Sequence, residues 1–149
     1  MAKRMALVMM MLVLCASSAL VSAQENTEPL TSVGGYSVEP ARDAGGDLKG
    51  LLSVYETIVQ GQTNWHTKSV SSYITTLNVD LNWGNPGNSL RLKIYSPDGY
   101  TFGPFYDSYD GNYDSRINLN INNPGGIAKG TWYYEVYGES VSGTQGYSL

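Results

Sequence analysis

Four stretches of this chain place an apolar residue at every second position. Leu77, Val79, Leu81 and Trp83 alternate with Asn78, Asp80 and Asn82, and Leu90, Leu92 and Ile94 alternate with Arg91 and Lys93. Ile117, Leu119 and Ile121 alternate with Asn118, Asn120 and Asn122, and Trp132, Tyr134 and Val136 with Tyr133, Glu135 and Tyr137. A period of two puts the apolar set on one face of an extended strand and the polar set on the other. A helix would scatter both sets around its circumference, so these segments are strands with one face buried.

The breaks between them have turn chemistry. Gly84-Asn85-Pro86-Gly87-Asn88 separates the first two runs, which are expected to pair as a hairpin. Ser96-Pro97-Asp98-Gly99 is a second turn, since proline presets φ and glycine accepts the left-handed conformation. Asn123-Pro124-Gly125-Gly126 is a third. Weaker strands are expected near Leu51–Val59, Asn64–Val70, Tyr100–Tyr106 and Gly146–Leu149. About eight strands are enough for two sheets packed face to face, so the expected fold is an all-β antiparallel sandwich.

The N-terminus reads differently. Lys3 and Arg4 precede an apolar run from Met5 to Leu14, and small residues lead to Val21-Ser22-Ala23, the order of a cleavable secretory signal. The run is shorter than the ~20 residues a membrane-spanning helix needs, so the mature form is not expected to be membrane-embedded. A lipid anchor on Cys15 is disfavoured by Leu14, where such signals want a small residue. The expected organisation is a signal peptide over 1–23, a flexible leader over 24–49, rich in Gly, Pro and scattered charge, and one domain over 50–149. The expected location is secreted, extracellular or at the cell surface.

Export changes the chemistry on offer. Cys15 is the single cysteine of the chain and leaves with the signal, so the mature protein forms no disulfide. Removal of Lys3 and Arg4 takes 9 basic against 13 acidic residues to 7 against 13, a net charge of −6. Acidic balance without a basic run argues against nucleic acid as a partner.

An enzyme would have little to work with. His66 is the single histidine, no H-E-x-x-H or G-x-S-x-G pattern occurs, and no pair of acids is singled out by spacing. His66 reads as an exposed strand or loop residue, and no catalytic residue is assigned. A calcium ion is the one candidate cofactor, held by Asp107, Asp110, Asn112 and Asp114, of which the last three follow a D-x-N-x-D spacing that turns alternate oxygens to one centre. The competing reading is a polar loop whose Asp and Asn side chains satisfy local backbone groups. Among 12 tyrosines, Tyr95, Tyr133 and Tyr137 fall on the polar side of their strands and are candidate ligand-binding residues.

Two motifs carry a family resemblance: Leu90-Arg-Leu-Lys-Ile-Tyr-Ser-Pro-Asp-Gly99, and Gly130-Thr-Trp-Tyr-Tyr-Glu-Val-Tyr-Gly138 followed by Gly146-Tyr-Ser-Leu149. Over roughly residues 50–149 the chain resembles the bacterial pre-peptidase C-terminal domain, in the form of a small standalone secreted protein of archaeal type. The resemblance implies a jelly-roll-like β-sandwich that accompanies exported proteins and is not itself catalytic. The chain departs from the pattern at Asn88 and Ser89, where the family often carries an acidic pair associated with calcium. The implied role is a non-catalytic binding or accessory domain for an extracellular protein or polysaccharide. A carbohydrate-binding module and a surface-assembly protein, pairing through an exposed terminal strand, are the alternatives.

Overall fold

The computed structural model describes residues 32–41 and 54–149. The signal peptide lies outside these residues, as do positions 24–31 and 42–49 of the leader.

Ten strands are described: β1 Ser32–Val33, β2 Tyr36–Pro40, β3 Tyr55–Val59, β4 Thr63–Val70, β5 Thr76–Asn82, β6 Ser89–Tyr95, β7 Thr101–Phe105, β8 Arg116–Asn122, β9 Gly130–Ser140 and β10 Thr144–Ser148. They form a six-stranded sheet in the order β1-β2-β8-β5-β10-β3 and a four-stranded sheet in the order β4-β9-β6-β7. Every pairing is antiparallel, so the fold is an all-β sandwich.

The period-two residues meet between the sheets. Leu77, Val79 and Leu81 of β5 and Ile117, Leu119 and Ile121 of β8 face Leu90, Leu92, Ile94, Trp132 and Val136 of the other sheet, all buried in one core. Each fully buried aliphatic side chain stabilises the fold by about 1.5–3 kcal/mol relative to exposure. Trp132 stacks on Phe102 with ring centroids 6.1 Å apart, and its indole N–H donates to the Ala128 carbonyl at 3.0 Å. The indole therefore keeps a hydrogen-bond partner although it is buried.

Three expectations are corrected. The first concerns the leader: Ser32–Pro40 forms β1 and β2, and β2 pairs with β8 from Ser37↔Asn122 to Pro40↔Leu119. Gly34 and Gly35 turn the chain between them at φ 58° and 84°, which L side chains rarely adopt. Tyr36 and Val38 are buried, so this segment completes the core rather than trailing from it. Its two apolar inward residues are too few to register as a period amid the surrounding Pro, Gly and charge.

The second is the hairpin. β5 and β6 belong to different sheets, and Gly84–Asn88 is an arch that carries the chain from one to the other. Both strands bury their apolar residues in the same core from opposite sides, and such an alternation looks the same in sequence as two paired strands. The arch is held by a polar plug: Asn88 Nδ2 donates to Gln145 Oε1 at 2.6 Å, Gln145 Nε2 donates to the Trp83 carbonyl at 2.8 Å, and the Trp83 indole donates to the Asn88 carbonyl at 2.9 Å. Ser96–Gly99, by contrast, closes a true hairpin between β6 and β7, with Gly99 N–H bonded to the Ser96 carbonyl at 3.1 Å.

The third is the last strand. β10 pairs with β3 along Thr144–Ser148 and meets β5 at Ser148↔Asn82, so β3 and not β10 is the end strand of the described sheet. Nearby, Gly138 of β9 sits where the chain crosses from β3 to β4, and a Cβ there would strike the Val59 carbonyl. That contact gives a physical reason for the glycine that ends the second motif.

Candidate functional site

Strand register gathers the aromatic candidates on one surface. Residues directly opposite in a ladder share a face, and Thr67, Tyr133 and Tyr95 form one cross-strand row over β4, β9 and β6. Trp65, Glu135 and Lys93 form the next row, and Thr63, Tyr137 and Arg91 the third. All nine point away from the core, because their chain neighbours Asn64, His66, Tyr134, Val136, Leu92 and Ile94 point into it. Tyr95 thus lies directly across from Tyr133 on strands spaced about 4.8 Å apart, while Tyr137 lies on the same face about 13 Å along β9 from Tyr133.

Trp65 is the residue sequence reasoning missed. Its inward neighbours Asn64 and His66 are polar, so β4 lacks the apolar alternation that marked the other strands. Trp65 is 57% exposed and reaches across β9 until its ring centroid is 5.5 Å from that of Tyr95, at an interplanar angle of 38°. Tyr133, in the row beside it, is 47% exposed.

Polar groups hold this surface in shape. The Tyr95 hydroxyl donates to Glu135 Oε2 at 2.6 Å, and burial together with that carboxylate pushes the Tyr95 phenol up to about 12. It therefore stays protonated and keeps donating at neutral pH. Arg91 lies over the Tyr137 ring, with its guanidinium carbon 4.3 Å from the ring centroid, and reaches Glu139 at 3.4 Å and Glu135 at 3.8 Å. Cation–π stacking and two carboxylates hold the Arg91 head flat against the sheet. The result is a braced face of aromatic planes interleaved with charge.

His66 is not exposed, contrary to expectation. It occupies the inner face of β4, opposite Tyr134, with its Nε2 hydrogen-bonded to the Tyr147 hydroxyl at 2.8 Å and 3.4 Å from Glu56 Oε2. Asn64 Nδ2 also donates to the Tyr147 hydroxyl, at 3.0 Å. Burial lowers the affinity of His66 for a proton, and Glu56 opposes this in part. The ring fills a polar seam between β3, β4 and β10. A single strand could not show this, since the residues that bury the ring come from the other sheet.

The calcium candidates lie on the loop after β7. Asp107 and Asp110 fall in a 3-10 turn over Asp107–Asp110 that ends at Gly111, and Asn112 and Asp114 follow it. Asp107 Oδ1 accepts the backbone N–H groups of Asp114 at 3.2 Å and Arg116 at 3.1 Å, and Asp110 Oδ1 accepts that of Asn112 at 2.9 Å. Among the described residues no group of three or more His, Cys, Asp or Glu side chains is placed to hold a metal ion. The Asp114 carboxyl is raised from its ordinary value by burial first and then by the negative charges of Asp110 and Asp107.

No family model matches this chain. It is similar to an uncharacterized protein of the archaeon Archaeoglobus fulgidus, 48% identical over 50 residues, which are 34% of this chain and 70% of that one. At that identity and coverage, the chain belongs to the same family as the Archaeoglobus fulgidus protein.

Proposed function

We propose that this chain is an exported, non-catalytic binding domain of the pre-peptidase C-terminal kind, which holds a polysaccharide against the outward face of β4, β9 and β6. The observation that carries this reading is the grouping of Trp65, Tyr95 and Tyr133 on one exposed sheet surface, braced from the side by Arg91 and Glu135. Aromatic rings bury the apolar faces of sugar rings at small entropic cost, because a tyrosine or tryptophan has few rotamers to lose. Side-chain hydroxyl, carboxylate and guanidinium groups between the rings hydrogen-bond the sugar hydroxyls.

The other reading the sequence offered, capture of an exported protein, uses the same surface but has no feature of its own in the structure. Retention on a panel of insoluble polysaccharides separates the two. The mature chain is expected to be held by at least one polymer, and a Trp65→Ala, Tyr133→Ala double variant to lose about ten-fold or more in affinity, as buried aromatic anchors do at other interfaces. Both residues are about half exposed, so the variant should keep its melting temperature. Retention that survives the double substitution would move the binding surface elsewhere on the sandwich.

A further inference from the structure

We infer that two copies of this chain pair through the open edge of β4, joining their four-stranded sheets into one sheet on which the two aromatic faces are continuous. The pairing stands on its own geometry; that the joined face serves a polymer rests on the polysaccharide reading above.

Each sheet of a sandwich has two end strands, and an unprotected end invites another strand. Here three of the four ends are blunted. β1 is two residues long, and β7 contains Gly103 and Pro104, beside a register shift in its ladder with β6. The edge of β3 is capped from within. Val54 and Leu149 exchange backbone bonds at 2.9 and 3.1 Å, so the alternate residues Tyr55, Thr57 and Val59 aim their N–H and C=O groups outward. Val59 N–H donates to Gln62 Oε1 at 3.1 Å, the Val59 carbonyl accepts the Gln62 N–H at 3.1 Å, and the Thr57 carbonyl accepts from Asn64 Nδ2 at 2.9 Å.

β4 has none of these devices. It pairs with β9 without a break from Thr63↔Tyr137 to Val70↔Gly130. Just before it, the Gln62 carbonyl accepts the Gly138 N–H at 3.0 Å, which fixes the phase of the ladder. Thr63, Trp65, Thr67 and Ser69 therefore point their backbone groups away from β9, and all four residues are exposed. Among the described residues no side chain caps those groups.

This edge complements itself. In an antiparallel pair centred on His66, Thr63 faces Ser69 of the second copy and Trp65 faces Thr67, each twice by symmetry. The four pairs exchange about eight hydrogen bonds, close to the number at a stable interface. Lys68 is the sole Lys, Arg, Asp or Glu of β4, and it forms no ion pair among the described residues. In this register it faces Asn64 of the second copy rather than a like charge. The Glu56 carboxylate lies beside that position, 3.4 Å from His66 Nε2 and with its side chain 46% exposed. Lys68 of each copy thus meets Glu56 of the other, and the charges as well as the backbone groups match across the axis.

The pairing extends the ligand face. Residues opposite each other in a ladder share a face, so both Trp65 side chains rise on the same side of the joined sheet. They are diagonal neighbours across the seam, about 7–8 Å apart. The aromatic set of one copy, Trp65, Tyr95 and Tyr133, then runs into that of the other, and a polymer leaving one set meets the next.

Sedimentation of the mature chain from about 1 to about 300 μM is expected to show a reversible dimer with a dissociation constant on the order of 10 μM, as suits a one-strand interface. Thr67→Pro removes an outward N–H and spares the β9 ladder, so it should stay monomeric over that range with little change in melting temperature. Lys68→Glu brings acids together and should weaken the dimer about five-fold, and adding Glu56→Lys should restore it. The charge swap reads the register even if Thr67→Pro fails to fold. Retention of the Thr67→Pro monomer on a polysaccharide should fall about ten-fold, because two linked faces bind as one. A monomer at every concentration, assemblies that grow beyond a dimer, a dimer that Thr67→Pro leaves intact, or full-strength pairing by Lys68→Glu would overturn the inference. Equal retention by the folded Thr67→Pro monomer would overturn the shared face. A dimer that retains no polymer sinks the polysaccharide reading and leaves the pairing; a wild-type chain that is monomeric yet retained does the reverse.

Discussion

The burial of Tyr36 predicts that a residue outside the expected domain is one of its main supports. The ring lies edge-on to Tyr100, Phe102 and Trp132 at centroid distances of 5.7, 5.4 and 6.0 Å. Its hydroxyl donates to Asp98 Oδ2 at 2.8 Å and accepts the Ala128 N–H at 3.2 Å. Truncation to alanine removes an aromatic side chain from a packed core, a loss of about 3–5 kcal/mol. It also orphans the Ala128 N–H, adding about 1 kcal/mol. The expected total is about 4–6 kcal/mol, a large part of the 5–15 kcal/mol typical of a whole domain. Tyr36→Phe keeps the ring and loses only the hydroxyl bonds, so it should cost about 1 kcal/mol. Urea unfolding followed by tryptophan fluorescence measures both, and at about 4–8 °C per kcal/mol the alanine variant should melt at least about 15 °C lower. A cost below about 1 kcal/mol for Tyr36→Ala would refute the docking of β2, and with it the reassignment of Ser32–Pro40 from leader to core.

Three further outcomes follow from buried groups. Because burial holds the folded-state pKa of His66 below its ordinary 6.5, the unfolded chain takes up a proton the folded one refuses. Stability should therefore fall as the pH drops below about 6.5, and His66→Gln should flatten the difference in urea midpoint between about pH 7.5 and pH 5; an unchanged difference would show that carboxylates elsewhere account for it. The Tyr134 hydroxyl is buried with no hydrogen-bond partner among the described residues, and burial raises its pKa. Tyr134→Phe should thus stabilise the protein by about 1 kcal/mol, and a loss of stability would point to a partner for that hydroxyl. Asp107→Ala removes the side-chain oxygen that accepts the Asp114 and Arg116 N–H groups and should cost about 1 kcal/mol with or without calcium in the buffer. A calcium-dependent rise in melting temperature that Asp114→Asn abolishes would instead establish the metal reading of that loop.

Much of the site was legible as residue types and little of it as a place. Tyr95, Tyr133 and Tyr137 could be assigned to the polar side of their strands from alternation alone. Trp65 could not, because its strand buries Asn64 and His66 where others bury Leu or Ile. The Asp107–Asp114 spacing drew attention to a calcium loop, yet the oxygens that define it also cap backbone N–H groups of the same turn. A one-dimensional pattern does not distinguish oxygens that face a common centre from oxygens that face the chain.

What the sequence determined by itself is the fold class and the facing of the strong strands. Steric alternation is a local property, and it assigned Leu77 to Leu81, Leu90 to Ile94, Ile117 to Ile121 and Trp132 to Val136 to the core without reference to any partner. What only the tertiary structure decided is pairing: that β5 and β6 arch between sheets, that β2 joins β8, that β10 is interior, and that Trp65 comes to rest against Tyr95. Pairing depends on hydrogen bonds and packing between segments distant along the chain. Two strands that bury the same apolar face look alike whether they lie side by side in one sheet or opposite each other across the core.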